Sequence, residues 1–151
     1  MERMGLGEGQ PPKALTGYTG FLLNWVAARS RRSFEEELEK LGLRLHGFAL
    51  MNVVAADPGL TQQELVECTH IDPSTMVAAL DSLEKAGFAE RRPHASDRRK
   101  RAIHLTERGT KMLQQARRAA RGAGGETLGR LDPAERRELD RLLLKMTGGE
   151  E

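Results

Sequence analysis

Apolar positions recur at spacings of three and four along nearly the whole chain, with no sustained valine or isoleucine alternation, so the pattern predicts a mainly α-helical protein. A first helix is predicted from about Thr16 to Leu41, with Tyr18, Leu22, Trp25 and Val26 on one stripe, Glu35 to Glu37 solvated and Gly42 as its stop. A second, from about Leu45 to Ala56, offers Phe48, Met51 and Val54 or Ala55 to a core and ends at the turn sequence Asp57-Pro58-Gly59. Thr61 followed by Glu64 is a reciprocal cap, which predicts a third helix to about Thr69. Asp72-Pro73 then supplies an N-cap and a first-turn proline for a fourth helix, running to Ala86 and closed by Gly87. At 100° per residue, Met76, Leu80 and Leu83 form its inner stripe. Ser74, Thr75, Ala78, Ser82 and Lys85 point the other way, a face of small, mostly hydroxylated side chains with no large apolar group.

Two short extended segments follow, Phe88 to Arg92 and Arg101 to Leu105, separated by the polar turn Pro93-His94-Ala95-Ser96-Asp97. They predict a β-hairpin. A fifth helix opens at Thr106-Glu107, carries Met112, Leu113, Ala116 and Ala120, and runs into Gly122, Gly124 and Gly125, where a kink, a hinge or a helix end is expected. Asp132-Pro133-Ala134-Glu135 caps a last helix that buries Leu139, Leu142, Leu143 and Met146. Residues 1–14 and 148–151 are expected to be tails around a single domain over 15–147.

A length of 151 residues suits one domain. The single cysteine, Cys68, excludes an internal disulfide and a thiolate zinc site, and it fits a reducing, cytoplasmic setting. No apolar run approaches the roughly 20 residues that span a bilayer, and Met1 to Pro12 lacks the apolar core of a signal peptide, so no membrane partner is expected. His46, His70, His94 and His104 share no metal-ligand or catalytic spacing. No phosphate-cradling glycine loop or nucleophile elbow appears, so neither a metal, a cofactor nor enzymatic activity is expected.

Net charge is only +2 but unevenly spread: from Glu90 to Arg101 six basic residues face two acids, a local excess of +4. Such a run is often a solvated face; here it falls on the hairpin tip, at Arg98, Arg99 and Lys100. Two short capped helices joined by a tight turn and followed by a hairpin are the layout of a winged helix-turn-helix, spanning residues 45–106. In that geometry the second helix enters the DNA major groove, and the hairpin reaches the narrow, electronegative minor groove that suits arginine.

The stretch Gly59 to Gly109 resembles the helix-turn-helix and wing of the MarR (multiple antibiotic resistance regulator) family of bacteria. The resemblance is carried by Leu83-Glu84-Lys85-Ala86-Gly87, Glu90-Arg91-Arg92, Asp97-Arg98-Arg99 and Leu105-Thr106-Glu107-Arg108-Gly109. It implies that Ser74 and Thr75 sit at the phosphate or base surface, that Asp97 buttresses Arg99, and that the wing, from His94 and Ser96 to Lys100, contacts DNA. Ala78 and Ser82 stand where many members carry arginine or another long polar residue, which shifts weight from guanine reading to the wing, phosphates and DNA shape.

The resemblance further implies a homodimer whose terminal helices, 15–41 and 107–147, interlock through Leu139, Leu142, Leu143 and Met146 and set two recognition helices on a pseudo-palindrome. An internal core is the alternative cover for those leucines. Members often sense a small phenolic or anionic effector in a crevice, for which Tyr18, Trp25, Arg29, His46 and Met51 are candidates; the alternative is that Tyr18, Trp25 and Met51 are packing residues. The function expected is a ligand-responsive repressor. The rival is a winged-helix interaction module that has lost DNA binding. Redox sensing by Cys68 has no thiolate-stabilising partner in the sequence to support it.

Overall fold

The computed structural model describes residues 9–122 and 125–148. After a 3-10 turn at Lys13–Leu15, helices α1 (Thr19–Lys40), α2 (Leu45–Ala56), α3 (Gln62–Thr69) and α4 (Pro73–Lys85) precede strands β1 (Ala89–Pro93) and β2 (Arg101–Leu105). Helices α5 (Glu107–Gly122), α6 (Gly125–Leu128) and α7 (Pro133–Met146) follow. The result is the expected mainly helical fold with a hairpin wing. The chain divides into two compact units, one holding residues 35–121 and the other the described residues 9–34, 122 and 125–148. Residues 107–121, grouped in the sequence reading with the terminal helices, cluster with the winged lobe.

The stops and starts follow local chemistry. Helix α4 ends in a Schellman motif: the Phe88 N–H donates to Leu83 O at 2.8 Å and the Gly87 N–H to Glu84 O at 2.9 Å, with Gly87 at φ +74°. The same motif closes α1 through Leu43 N–H to Leu38 O, 3.0 Å, and Gly42 N–H to Glu39 O, 2.9 Å. Both motifs pin an apolar pair, Leu83 with Phe88 and Leu38 with Leu43, and all four side chains are buried. Helix α1 starts at Thr19 rather than near Thr16, because residues 16–18 are taken up by the turn that leaves the 3-10 segment.

Every apolar side chain in the buried core belongs to residues 35–121: Leu50, Met51 and Val54 of α2, Leu65 of α3, Met76, Leu80 and Leu83 of α4, Ala102 and Ile103 of β2, and Leu113 and Ala116 of α5 among them. One expectation needs correction, and a second is left open by a single protomer. On α2 the core takes Leu50 with Met51 and Val54, leaving Phe48 half-buried and Ala55 exposed. That helix is apolar nearly all round and packs against both α4 and β2, so periodicity did not select its face. On α7 no residue is buried: Leu139 is half-buried, while Leu142, Leu143 and Met146 are 43%, 39% and 67% exposed. Gly122 ends α5 and Gly125 opens α6; Gly124 lies outside the described residues.

Candidate nucleic-acid interface

Helix α3 begins with the expected reciprocal cap, the Glu64 N–H donating to Thr61 Oγ1 at 3.3 Å and the Thr61 N–H to Glu64 Oε2 at 2.7 Å. These bonds hold the Glu64 carboxyl below its ordinary pKa, helped by the nearby charges of His94 and Lys100 on the wing. His70 turns the chain with a left-handed φ of 54°, and the Thr69 hydroxyl donates to Leu65 O at 2.6 Å while accepting from the Ile71 N–H. The turn then delivers Asp72, whose Oδ1 accepts from the Thr75 N–H at 2.9 Å and from the Ser74 hydroxyl at 2.5 Å. Those hydroxyl and amide donors hold the Asp72 carboxyl well below the usual carboxylate range. So positioned, α4 presents Ser74, Ala78, Ser82 and Lys85 to solvent, with Thr75 half-buried beside them. Two details escaped the sequence reading. The Ser74 hydroxyl is already engaged in the cap. Val77, 40% exposed, puts an apolar group on this surface; an exposed valine one position from Ala78 was the available signal, and thymine methyls are its natural counterpart.

Two acids on α4, Asp81 and Glu84, would repel DNA if left bare. Arg91 of β1 pairs with both, its Nη2 lying 3.0 Å from Asp81 Oδ1 and its Nη1 bonded to Glu84, while the Arg91 N–H donates to Glu84 Oε1 at 3.2 Å. Arg91 is thus tied to the recognition helix, and Arg92 pairs with Glu90.

The wing pairs Ala89 with Leu105 through Pro93 with Arg101, and β2 is extended on its outer side by residues 59–61: the Ile103 N–H donates to Leu60 O at 2.8 Å and the Gly59 N–H to Ile103 O at 3.1 Å. At the tip, His94 N–H to Lys100 O, 3.0 Å, and Lys100 N–H to Asp97 O, 2.9 Å, close the turn. Asp97 Oδ1 accepts from the Arg99 N–H at 3.0 Å and from its Nε at 3.3 Å, so the carboxylate holds Arg99 from behind while the side chain stays 92% exposed. The Ser96 hydroxyl lies 3.0 Å from His94 Nδ1. Arg98, Lys100 and Arg101 are exposed and carry no ion pair among the described residues. The tip therefore projects a net positive charge.

The Leu105-Thr106-Glu107-Arg108-Gly109 segment anchors this wing to α5. The Thr106 hydroxyl donates to Gly87 O at 2.6 Å and accepts from the Gly109 N–H at 2.9 Å; the Arg108 guanidinium lies 5.3 Å from the Phe88 ring centroid. A Cβ on Gly109 would stand 1.8 Å from Phe88 O, so only glycine permits this approach.

The effector candidates are not gathered by either unit alone. Trp25 and Arg29 line a crevice of about 370 Å³ with Leu22, Val26 and Arg130 in the terminal unit. The Trp25 ring lies 5.6 Å from that of Phe21, and Arg29 Nη1 donates to Gly9 O at 3.2 Å. Tyr18 is 65% exposed, Met51 is wholly buried in the winged lobe, and His46 faces a different groove beside α4. Cys68 is exposed, its Sγ 3.5 Å from Leu65 O. Among the described residues no His, Cys, Asp and Glu cluster could hold a metal ion, and no helix is long and apolar enough to cross a membrane.

A capped two-helix turn, a small polar recognition face and a basic hairpin define a winged helix-turn-helix protein. A family model described as MarR family matches residues 41–100. Transcriptional regulator HosA of Escherichia coli O127:H6 is 32% identical over 99 residues, covering 66% of this chain and 73% of its own. The MarR family protein Rv2887 of Mycobacterium tuberculosis, solved in complex with DNA, is 32% identical with a TM-score of 0.74, covering 85% of this chain and 96% of its own. Its complex with p-aminosalicylic acid superposes with a TM-score of 0.71 at 32% identity, over 85% of this chain and 98% of its own. The chain belongs to the MarR family of transcriptional regulators.

Proposed function

We propose that the protein is a homodimeric repressor that binds a pseudo-palindromic duplex operator in the bacterial cytoplasm and releases it when a small aromatic anion binds, without enzymatic activity. The observation that carries the DNA reading is the adjacency of two surfaces: an α4 face whose small side chains permit close approach to base edges, and a wing tip whose Arg98, Arg99 and Lys100 form no ion pair among the described residues except that of Arg99 with Asp97 behind it. The DNA complex of Rv2887 supports it by similarity. Arg91 pairs with both Asp81 and Glu84, and with Lys85 beside them the two acids of α4 are matched by two cations, which lowers the repulsion a polyanion would meet there.

Dimerisation is supported by the uneven placement of apolar surface. The terminal unit has no buried apolar side chain among its described residues, yet Leu142, Leu143, Leu144 and Met146 stand open on α7. A second copy, docking the same faces about a two-fold axis, would cover them. The Trp25 and Arg29 crevice joins an aromatic wall to guanidinium groups, the chemistry an aromatic carboxylate needs, and the p-aminosalicylic acid complex of Rv2887 gives the ligand class a precedent.

Selection of bound duplexes from fragmented genomic DNA at about 0.15 M salt, where nonspecific binding fades, tests the reading. Enrichment of fragments sharing an inverted repeat, released by p-aminosalicylate, is the expected result. Binding to no duplex, or equal binding to all, would return the protein to the class of interaction modules.

A further inference from the structure

The recognition face carries one cation of its own, Lys85, and the wing supplies positive charge on one side of it. An α-helix seated in the major groove lies between two phosphate backbones, so the opposite flank also requires a partner for phosphate. On that flank a groove of about 370 Å³ separates α4 from the start of α2, with Thr75, Ala78 and Ser82 on one wall and Arg44 and His46 on the other. The crossing is close because Gly47 has no side chain: a Cβ there would sit 3.4 Å from Leu83 Cδ2. Arg44 and His46 are exposed, and Arg44 makes no hydrogen bond through its side chain and no ion pair among the described residues, although Glu35 and Glu39 line a neighbouring crevice with it.

We propose that this groove seats the sugar-phosphate backbone of one DNA strand, with Arg44 as its cation and His46 as a second polar contact, so that Arg44 and the wing clasp the duplex from opposite sides of the recognition helix. The occupant follows from charge complementarity and continuity. The groove shares Thr75, Ala78 and Ser82 with the base-reading face, so a strand lying along that face runs directly into it, and the lining by Leu83 and Phe88 suits the apolar edge of a deoxyribose. Placing two basic or polar groups here also suits an α4 face on which Ala78 and Ser82 are short: affinity moves from the centre of the helix to its flanks.

The inference rests on the DNA-binding reading and is tested apart from it. Duplexes selected by the wild-type protein are titrated by fluorescence anisotropy over a salt series with wild-type, Arg44→Ala, Arg44→Lys and the Arg98→Ala/Arg99→Ala double variant, and thermal melts report folding. Arg44→Ala should bind about 10-fold more weakly at moderate salt and lose about 1 unit of salt slope per protomer, and Arg44→Lys should restore the slope. Phosphate ethylation interference on the wild-type complex should show a blocked phosphate outside the wing contacts, and the same phosphate should cease to interfere with Arg44→Ala. If the wing variant loses slope while Arg44→Ala keeps wild-type affinity, slope and interference pattern, Arg44 serves Glu35 and Glu39 instead and this inference fails while DNA binding stands. If the wild-type protein binds no duplex, the reading beneath it fails as well.

Discussion

Replacing Leu142 by glutamate separates a dimerisation helix from a surface decoration. Leu142 is 43% exposed in the protomer. Full burial of a leucine is worth about 1.5 to 3 kcal/mol, so covering the exposed part contributes roughly 0.6 to 1.3 kcal/mol per copy, and the two-fold axis doubles this to about 1 to 3 kcal/mol per dimer. Leu142→Ala should therefore raise the dimer dissociation constant about 10- to 100-fold. Leu142→Glu removes the same contact and forces a carboxylate out of water on both sides of the axis, adding several kcal/mol more. At micromolar concentration it should sediment as a monomer. The core lies within residues 35–121, so its far-UV spectrum should be unchanged. DNA affinity should fall steeply, because one protomer holds only one half-site. A Leu142→Glu protein that stays dimeric with a wild-type dissociation constant would refute the placement of α7 in the interface.

Gly109→Ala should destabilise the lobe by about 3 to 5 kcal/mol in urea unfolding, since relieving a 1.8 Å approach to Phe88 O requires α5 to shift and breaks the Thr106 bonds around it; a loss under 0.5 kcal/mol would show that the wing and α5 are not locked here. Arg91→Ala should cost about 1 to 2 kcal/mol of stability and weaken DNA binding by unmasking Asp81 and Glu84, yet leave the salt slope unchanged, because its guanidinium faces carboxylates; a slope reduced by about 1 per protomer would make it a phosphate contact. The Asp72 carboxyl, depressed by its hydroxyl and amide donors, stabilises the start of α4 at all pH above its unfolded value near 3.8 and loses that contribution only as pH falls through the lower folded value. The Thr75 amide resonance should therefore titrate below pH 3.8, and a midpoint at or above it would contradict the cap.

Much of this architecture was legible because local signals specify it. The Thr61/Glu64 and Asp132/Glu135 boxes, Pro73 after Asp72, and the glycines at 42 and 87 each satisfy groups within a few residues, so sequence neighbours suffice to place helix ends. What depended on distant partners was harder. The buried face of α2 is chosen by α4 and β2 rather than by its own uniformly apolar sequence, and the leucines of α7 are open in the protomer, which is why a second copy is proposed to cover them. At the site, the basic wing and small recognition face were readable from charge and register. Val77 was passed over because a valine beside a core stripe reads as core, although its place next to Ala78 was visible. The proposed role of Arg44 had no signal in the sequence, because it sits in a short connection and shares a groove with Ser82 only through the α2–α4 crossing. The engagement of Ser74 with Asp72 likewise follows from rotamers that no spacing reveals.

The central claim is that the wing tip supplies sequence-independent affinity by displacing counterions. Titration of a selected duplex at several salt concentrations, comparing the wild-type protein with the Arg98→Ala/Arg99→Ala double variant, tests it most directly. Each arginine that meets a phosphate should contribute about 0.9 to the slope of log affinity against log salt, so the variant should bind every duplex more weakly and lose about 1 to 2 units of slope per subunit. A double variant with wild-type affinity and wild-type slope would make the wing a solvated surface and contradict the account.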